Sequence, residues 1–542
     1  MARQLPLLIA ALLAVPVLGI LGSWLALDSA ALETLRHQAS TVLPSYALNS
    51  LLLSIGVAIG VAAVGGATAA LVSLFEFPGR RIFEWALLLP LAMPAYVLAY
   101  AVTDFLQFSG PLQTWLRATT GATGPLWPDV RSLPGAVVLF TLCLYPYVYL
   151  LTRTALSERA VRLMEAARLL GAGARRRVRE VALPLARPAL AAGVALALME
   201  TLADFGVGSY FGLTTFTTGI YRAWLVMNDH AAAAQLASVL LVVVALLLWA
   251  EQRAQRRLRF SSPRLVGQRN AESRPIELSG GRAAVAVVVC ATPVLLGFVL
   301  PVLVLLHMLV AQVAAEPGQT WRDVVDPRFA RWAWTSFQLA AAAAVLAVAV
   351  ALALSAAARL AQGSNGARRV ALAARVVSLG YAVPGAVIAV GILLPAAWLQ
   401  TRFPQWSLGT VVTATVFGLV YAYVVRFSAV ALQSVDAGYA RLPASIDETA
   451  RLAGASRWRI FRELHLPLLR RSALVAGLLV FVDVMKELPA TLVLRPFNTD
   501  TLAVVAYQFA KDERLAEAAL PSLAIVLVGL VPVILLSRSV RQ

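Results

Sequence analysis

The sequence predicts an all-α membrane protein of about twelve transmembrane helices in two parallel six-helix repeats. Three observations carry that reading. The chain has 542 residues, of which 60% are hydrophobic, and its mean hydropathy is +0.77, whereas soluble chains are about 45–50% apolar. The apolar residues fall in long runs, among them 5–27, 48–74 and 133–156, and runs of about 18 or more read as membrane spans. Third, the chain repeats itself: Glu165-Ala-Ala-Arg-Leu-Leu-Gly171 recurs as Glu448-Thr-Ala-Arg-Leu-Ala-Gly454, and Ala182-Leu-Pro-Leu-Ala-Arg187 as His465-Leu-Pro-Leu-Leu-Arg470, both at an offset of 283.

In order, the expected spans are 5–27, 47–74, 85–106, 133–156, 188–208 and 235–252, then 282–312, 334–358, 375–400, 408–432, 473–496 and 517–537. This divides the chain into a first half (1–252), a polar linker (253–281) and a second half (282–542). The linker region carries Arg253, Arg256, Arg257, Arg259, Arg264, Arg269, Arg274 and Arg282. The loop after the fourth span holds Arg159, Arg162, Arg168, Arg175, Arg176, Arg177, Arg179 and Arg187, and its counterpart after the tenth holds Arg441, Arg451, Arg457, Arg459, Arg462, Arg470 and Arg471. Alternate loops are mixed in sign: one has Arg117, Asp129 and Arg131, another Glu316, Arg322, Asp323, Asp326, Arg328 and Arg331. Arginine-rich loops face the cytoplasm, so the linker and both termini are expected there too. Six spans per half give the copies one orientation, related by an axis along the membrane normal, with a substrate route expected between them.

The same pattern disposes of other classes. A net charge of +18 suits nucleic acid, but here it comes from arginines placed between apolar runs, and no nucleic-acid partner is expected. Only Lys486 and Lys511 are lysines, and neither sits in a Gly-Lys-Ser/Thr loop, so the chain has no nucleotide-binding P-loop and is not read as an enzyme. Cys143 and Cys290 lie apart in apolar runs and form no disulfide framework or metal site. His37, His230, His307 and His465 are scattered and read as ordinary surface or interface residues. Arg3 followed by a long apolar run reads as an uncleaved first span.

The repeated segment carries the function. It resembles the cytoplasmic signature of binding-protein-dependent ATP-binding-cassette importers, Glu-Ala-Ala-x3-Gly-x9-Ile-x-Leu-Pro. Glu165, Ala166, Ala167, Gly171, Val181, Leu183 and Pro184 match its spacing in the first half, and Glu448, Ala450, Gly454, Leu464, Leu466 and Pro467 in the second. Thr449, Val181 and Leu464 are mild departures. A short helix with a carboxylate and small residues can lie close in a partner's groove, a glycine suits the left-handed turn that ends it, and Pro184 and Pro467 are expected to break the segment before the next span. The resemblance implies a type I importer permease whose two copies of this helix dock on an ATPase homodimer. ATP and Mg would then reside on that partner, with no cofactor in this chain.

Acids follow each signature. Glu200 and Asp204 align at the same offset with Asp483 and Glu487, and Lys486 lies beside the latter. Glu200 is 16 residues past Pro184, roughly 24 Å along a helix, which places it within the bilayer. Intramembrane acids face partners or water-filled paths. They read either as a route for a cationic substrate or as a structural network neutralised by Lys486, with Asp483 and Glu487 on one helix face. Tyr145, Tyr147, Tyr149, Tyr421 and Tyr423 recur in both halves and read as packing or interfacial residues rather than metal ligands.

Finer segments resemble fused ferric iron import permeases: Glu200-Thr-Leu-Ala-Asp-Phe-Gly206, Phe216-Thr-Thr-Gly-Ile-Tyr221, Ala234-Gln-Leu-Ala237, Asp483-Val-Met-Lys-Glu-Leu-Pro-Ala-Thr-Leu492 and Leu494-Arg-Pro-Phe-Asn498. That resemblance implies inner-membrane import of iron delivered by a periplasmic binding protein, docking near Ser209–Tyr221 and Arg495–Thr501. Thiamine, phosphonate and polyamine permeases share the signature and stand as alternatives. A proton-coupled secondary transporter also has two parallel six-span halves but has no use for the repeated docking segment.

Overall fold

The structure, a computed structural model, describes residues 4–26, 29–157, 161–260, 276–314, 326–361 and 366–541. In chain order the helices that matter below are α1 (Leu5–Ser23), α2 (Leu43–Leu74), α3 (Leu133–Ala155), α4 (Val161–Leu169), α5 (Leu183–Ala203), α6 (Gly206–Tyr210), α7 (His230–Phe260), α8 (Gly281–Val294), α9 (Leu300–Ala314), α10 (Phe329–Leu360), α11 (Gly385–Arg402), α12 (Val416–Tyr439), α13 (Ala444–Leu452), α14 (Leu466–Lys486), α15 (Pro489–Leu494) and α16 (Leu515–Arg541). The strands among the described residues are the two-residue β1 (Phe75–Glu76) and β2 (Ile276–Glu277), paired in parallel with Phe75 opposite Ile276.

Among the described residues, ten helical segments are long and apolar enough to cross a membrane, or eleven if the bent pair Arg80–Ala92 and Ala95–Thr120 is one span. The sequence led us to expect twelve. The remaining expected span, 473–496, is occupied by α14, a helix that carries Arg470, Arg471 and Asp483 within its apolar length. The third span of each half is broken rather than continuous. The first-half pair bends by 93° where Met93 (ψ 113) precedes Pro94, and in the second half the chain is extended at Val383 (ψ 122) before Pro384. A residue preceding proline is pushed out of the α region by the proline ring.

The fifth spans also end early. Instead of running through 188–208, α5 stops at Ala203, and Asp204 is extended (ψ 134) before α6 begins. Instead of running through 473–496, α14 stops at Lys486, and Glu487 is extended (ψ 124) before α15. The two signature prolines do the reverse of what was expected of them. Pro184 and Pro467 sit in the first turns of α5 and α14, and each follows a π-helical stretch, Val178–Ala182 or Ile460–His465, so the helix continues through them. A wide i→i+5 turn accommodates a residue that has no N–H and whose ring crowds the preceding carbonyl. The first residues of the expected linker are helical, since α7 runs to Phe260; Arg264, Arg269 and Arg274 lie outside the described residues, as do Arg159, Glu316, Arg322 and Asp323.

The chain forms two compact units, Met1–Thr41 with Gly219–Leu241 and Asp326–Val505, and Val42–Thr218 with Val242–Val325 and Ala506–Gln542. Each unit draws on both sequence halves. In the first, α1 packs on α11 through facing glycines: a Cβ on Gly19 would lie 2.5 Å from the Gly391 carbonyl oxygen, and a Cβ on Gly391 would overlap the Pro16 carbonyl. Trp24 Nε1 donates to Ser238 Oγ (2.7 Å) in the same unit. In the second, α2, α3 and α5 pack through Gly65, whose Cβ would meet Tyr145 O at 2.7 Å, and Gly193, whose Cβ would meet Val148 Cα at 2.6 Å. Small residues let backbones approach where no hydrophobic effect drives helices together in lipid. The duplication is visible in one bond: Ser50 Oγ accepts from Phe216 N (3.3 Å) in one unit, and Ser336 Oγ from Leu502 N (2.8 Å) in the other, across identical separations of 166 residues.

Candidate functional site

The two signature segments fold alike. α4 carries Glu165, Ala166 and Ala167, and α13 carries Glu448 and Ala450. Each ends on a glycine with positive φ, Gly171 at +80° and Gly454 at +78°. The terminal carbonyls are closed the same way: Gly171 N to Arg168 O (2.9 Å) with Ala172 N to Ala167 O (2.9 Å), and Gly454 N to Arg451 O (3.0 Å) with Ala455 N to Ala450 O (3.0 Å). This pair of bonds is the Schellman ending, in which only glycine adopts the left-handed turn without strain. Gly171→Val together with Gly454→Val is therefore expected to cost roughly 1–2 kcal/mol at each turn and to lower the amount of any protein that co-purifies through these helices.

Both helices leave apolar side chains in the open just before that turn. Leu169 is 79% exposed, Leu170 88%, and Leu452, the counterpart of Leu169, 90%. Glu165 pairs with Arg168 at 2.8 Å, and Glu448 is exposed. The two copies thus present an exposed leucine one turn after the signature glutamate at matched places. Leu183 is half exposed; Leu466 is exposed at the start of α14.

The intramembrane acids are divided by the helix breaks. Asp204 Oδ1 accepts from Val207 N (2.8 Å), and Glu487 Oε1 accepts from Ala490 N (2.8 Å). Both acids thus cap the short helix that follows the break. Glu487, 5% exposed, also accepts at Oε2 from Thr491 N (3.0 Å) and Thr491 Oγ1 (2.5 Å). Its charge partner is Arg426 on α12, at 3.4 Å, and not Lys486. Because Glu487 lies beyond the end of α14, it does not share a helical face with Asp483 as the spacing suggested. Lys486 meets Asp483 at 3.7 Å, both partly exposed, and Glu200 is partly buried on α5.

Three of the five tyrosines bond to protein through their hydroxyls. Tyr149 OH donates to Glu84 O (3.0 Å), Tyr423 OH pairs with Thr491 Oγ1 (2.7 Å), and Tyr421 OH bonds Leu12 O. Among the described residues, no cluster of three or more His, Cys, Asp or Glu could hold a metal ion. In the loops, Thr217 Oγ1 donates to Asp204 O (2.8 Å) and Arg495 pairs with Asp500. Arg131 forks onto Glu513 (Nη1–Oε1 2.8 Å, Nη2–Oε2 3.0 Å), which holds that carboxyl below its ordinary value.

The model of the family described as binding-protein-dependent transport system inner membrane component matches residues 62–260 and again 354–542. The chain belongs to this family. It is a multi-pass inner-membrane transport permease with two copies of the family's domain. The Fe(3+)-transport system permease protein FbpB 2 of Haemophilus influenzae is 26% identical over 495 residues, 90% of this chain and 89% of that one. The sulfate transport system permease protein CysT of Escherichia coli is 29% identical over 34% of this chain and 66% of its own length. The molybdenum transport system permease protein ModB of the same species is 30% identical over 32% of this chain and 76% of its own length.

Two buried polar groupings in this permease escaped the sequence reading. Arg426 was one, although a lone arginine inside the apolar stretch of α12 was a signal that it needed a buried acid. The other is beneath α13. His465, expected at a surface or interface, is 1% exposed and bonds Asp447 and Tyr439. The signal was a histidine standing where the first copy has Ala182.

Proposed function

We propose that this permease imports ferric iron handed over by a periplasmic binding protein and is driven by a separate ATPase homodimer. The observation supporting iron is the reach of the likeness to the Haemophilus influenzae Fe(3+) permease, which extends over 90% of this chain, against 34% and 32% for the sulfate and molybdenum relatives. In this reading α4 and α13 each dock on one ATPase subunit, ATP and Mg belong to those subunits, and this chain holds no cofactor and hydrolyses nothing. Both termini lie on the cytoplasmic side with the arginine-rich loops. The segments Ser209–Tyr221 and Arg495–Thr501 receive the binding protein. Closure of the ATPase dimer moves the docking helices as levers and switches the access of the path. Among the acids, Asp204 and Glu487 serve as helix caps, which leaves Glu200 and Asp483 as the candidates to meet a cation, with Lys486 tempering Asp483.

The deciding experiment is uptake of radiolabelled ferric iron in cells lacking the chain, with and without its restoration. Loss on deletion and recovery on restoration are expected. Unchanged iron uptake moves the substrate to thiamine, a phosphonate or a polyamine, each tested in the same cells. For the docking role, the double variant Glu165→Ala, Glu448→Ala is expected to remain folded, to co-purify with less ATPase and to import more slowly. Wild-type uptake and co-purification in that variant would remove these glutamates from the docking contact.

A further inference from the structure

The two docking helices rest on different chemistry. Beneath α13, Asp447 is 6% exposed. Its Oδ1 lies 2.9 Å from His465 Nε2, and its Oδ2 accepts from Arg359 Nε at 2.6 Å. His465 Nδ1 lies 3.0 Å from Tyr439 OH, and the two rings meet edge to face at 88°. Arg359 Nη2 also donates to Leu442 O (3.0 Å) and Pro443 O (2.9 Å), the turn that leads into α13. A neutral histidine satisfies every group, with Tyr439 O–H donating to Nδ1 and Nε2–H donating to Asp447; this proton placement follows from the network. The cluster ties the ends of α10 and α12 and the π-helical stretch before α14 to the docking helix.

The positions of Tyr439, Asp447 and His465 correspond in the first half, 283 residues earlier, to Leu156, Met164 and Ala182. They form one apolar cluster with Leu74 and Ala186, flanked by Val178, Val181 and Ile276. Apolar contact is non-directional, whereas hydrogen bonds are lost within a few tenths of an ångström or tens of degrees. An apolar socket therefore tolerates small rotations that a bonded chain of four side chains does not.

Burial pushes the Asp447 carboxyl up, but the hydrogen bonds from His465 and Arg359 outweigh it and hold the group below its ordinary value. A depressed carboxyl contributes stability above its unfolded pKa and loses it as pH falls through the folded one, so Asp447 contributes as a carboxylate at neutral pH.

We propose that the two ATPase contacts are non-equivalent: α4 rocks in an apolar socket, while α13 is fixed in orientation by the Arg359–Asp447–His465–Tyr439 chain, which makes Asp447 and His465 positioning residues for the second contact alone. This rests on the docking reading above. Leu169 and Leu452 are equivalent and exposed, so Leu169→Cys and Leu452→Cys place one photo-cross-linker on each helix in the assembled transporter. In the parent both positions cross-link to the ATPase. His465→Ala and Asp447→Asn are expected to lower the yield from position 452 by about tenfold, the scale of a stranded buried polar group, with position 169 within about twofold. His465→Gln, whose amide can both accept and donate, restores position 452, and ATP hydrolysed per ion imported rises in the variants that lose the contact. Equal losses at both positions, or no loss at 452, overturn the inference. Absence of any cross-link in the parent overturns the docking reading, and the inference falls with it.

Discussion

Glu487→Ala is expected to destabilise the permease severely and to abolish uptake. The substitution removes the acceptor of three hydrogen bonds at the start of α15. It also leaves Arg426, 8% exposed, without its carboxylate. Removing one member of a buried pair costs about 3–5 kcal/mol, because the other charge stays buried. The measurement is thermal unfolding of the purified chain in detergent, alongside uptake in cells. Arg426→Met with Glu487→Gln should recover much of the stability, since a buried pair replaced by a well-packed neutral one is often tolerated and the glutamine oxygen still caps Ala490. A Glu487→Gln chain with parental stability and no uptake would instead make this carboxylate a substrate contact.

Gly391→Leu is the second large effect. Its Cβ would run into the Pro16 carbonyl, and backbone cannot yield as a flexible side chain does. Overpacking typically costs about 1–3 kcal/mol and more where backbone must move. The expected result is that α1 leaves its seat on α11, seen as protease cleavage near the end of α1 and loss of the folded peak on size exclusion. Gly22→Ala on the same helix meets nothing within 4 Å and should behave as the parent. Parental behaviour of Gly391→Leu would mean that α1 is not held by this crossing.

Much of this molecule is legible in its sequence, for physical reasons that differ by element. The helices α4 and α13 could be read because their glutamate and glycine spacing is local and appears twice. The long spans could be read because lipid demands unbroken apolar runs. The breaks after Ala203 and Lys486 were missed because the apolar pattern runs on past both points; Pro489 was the one local signal, and the capping bonds of Asp204 and Glu487 complete the picture. The proline-containing turns misled, since a π turn lets a helix absorb a residue that propensity alone treats as a stop. Arg426 and Glu487 are 61 residues apart, and nothing local marks them as partners. His465 illustrates a subtler limit: its motif was recognised, but the repeat's consensus hid the one position where the copies differ in chemistry.

The placement of α1 has a consequence for how the protein is made. Gly19 packs against Gly391, a residue synthesised about 370 positions later, which at ribosomal speeds of about 5–20 residues per second is roughly 20–70 s. Throughout that interval α1 has no seat, and Pro16 and its glycine face meet lipid or the insertion machinery. The nascent chain must therefore hold an early segment in waiting until a late one arrives, so the two halves finish assembling together rather than in succession.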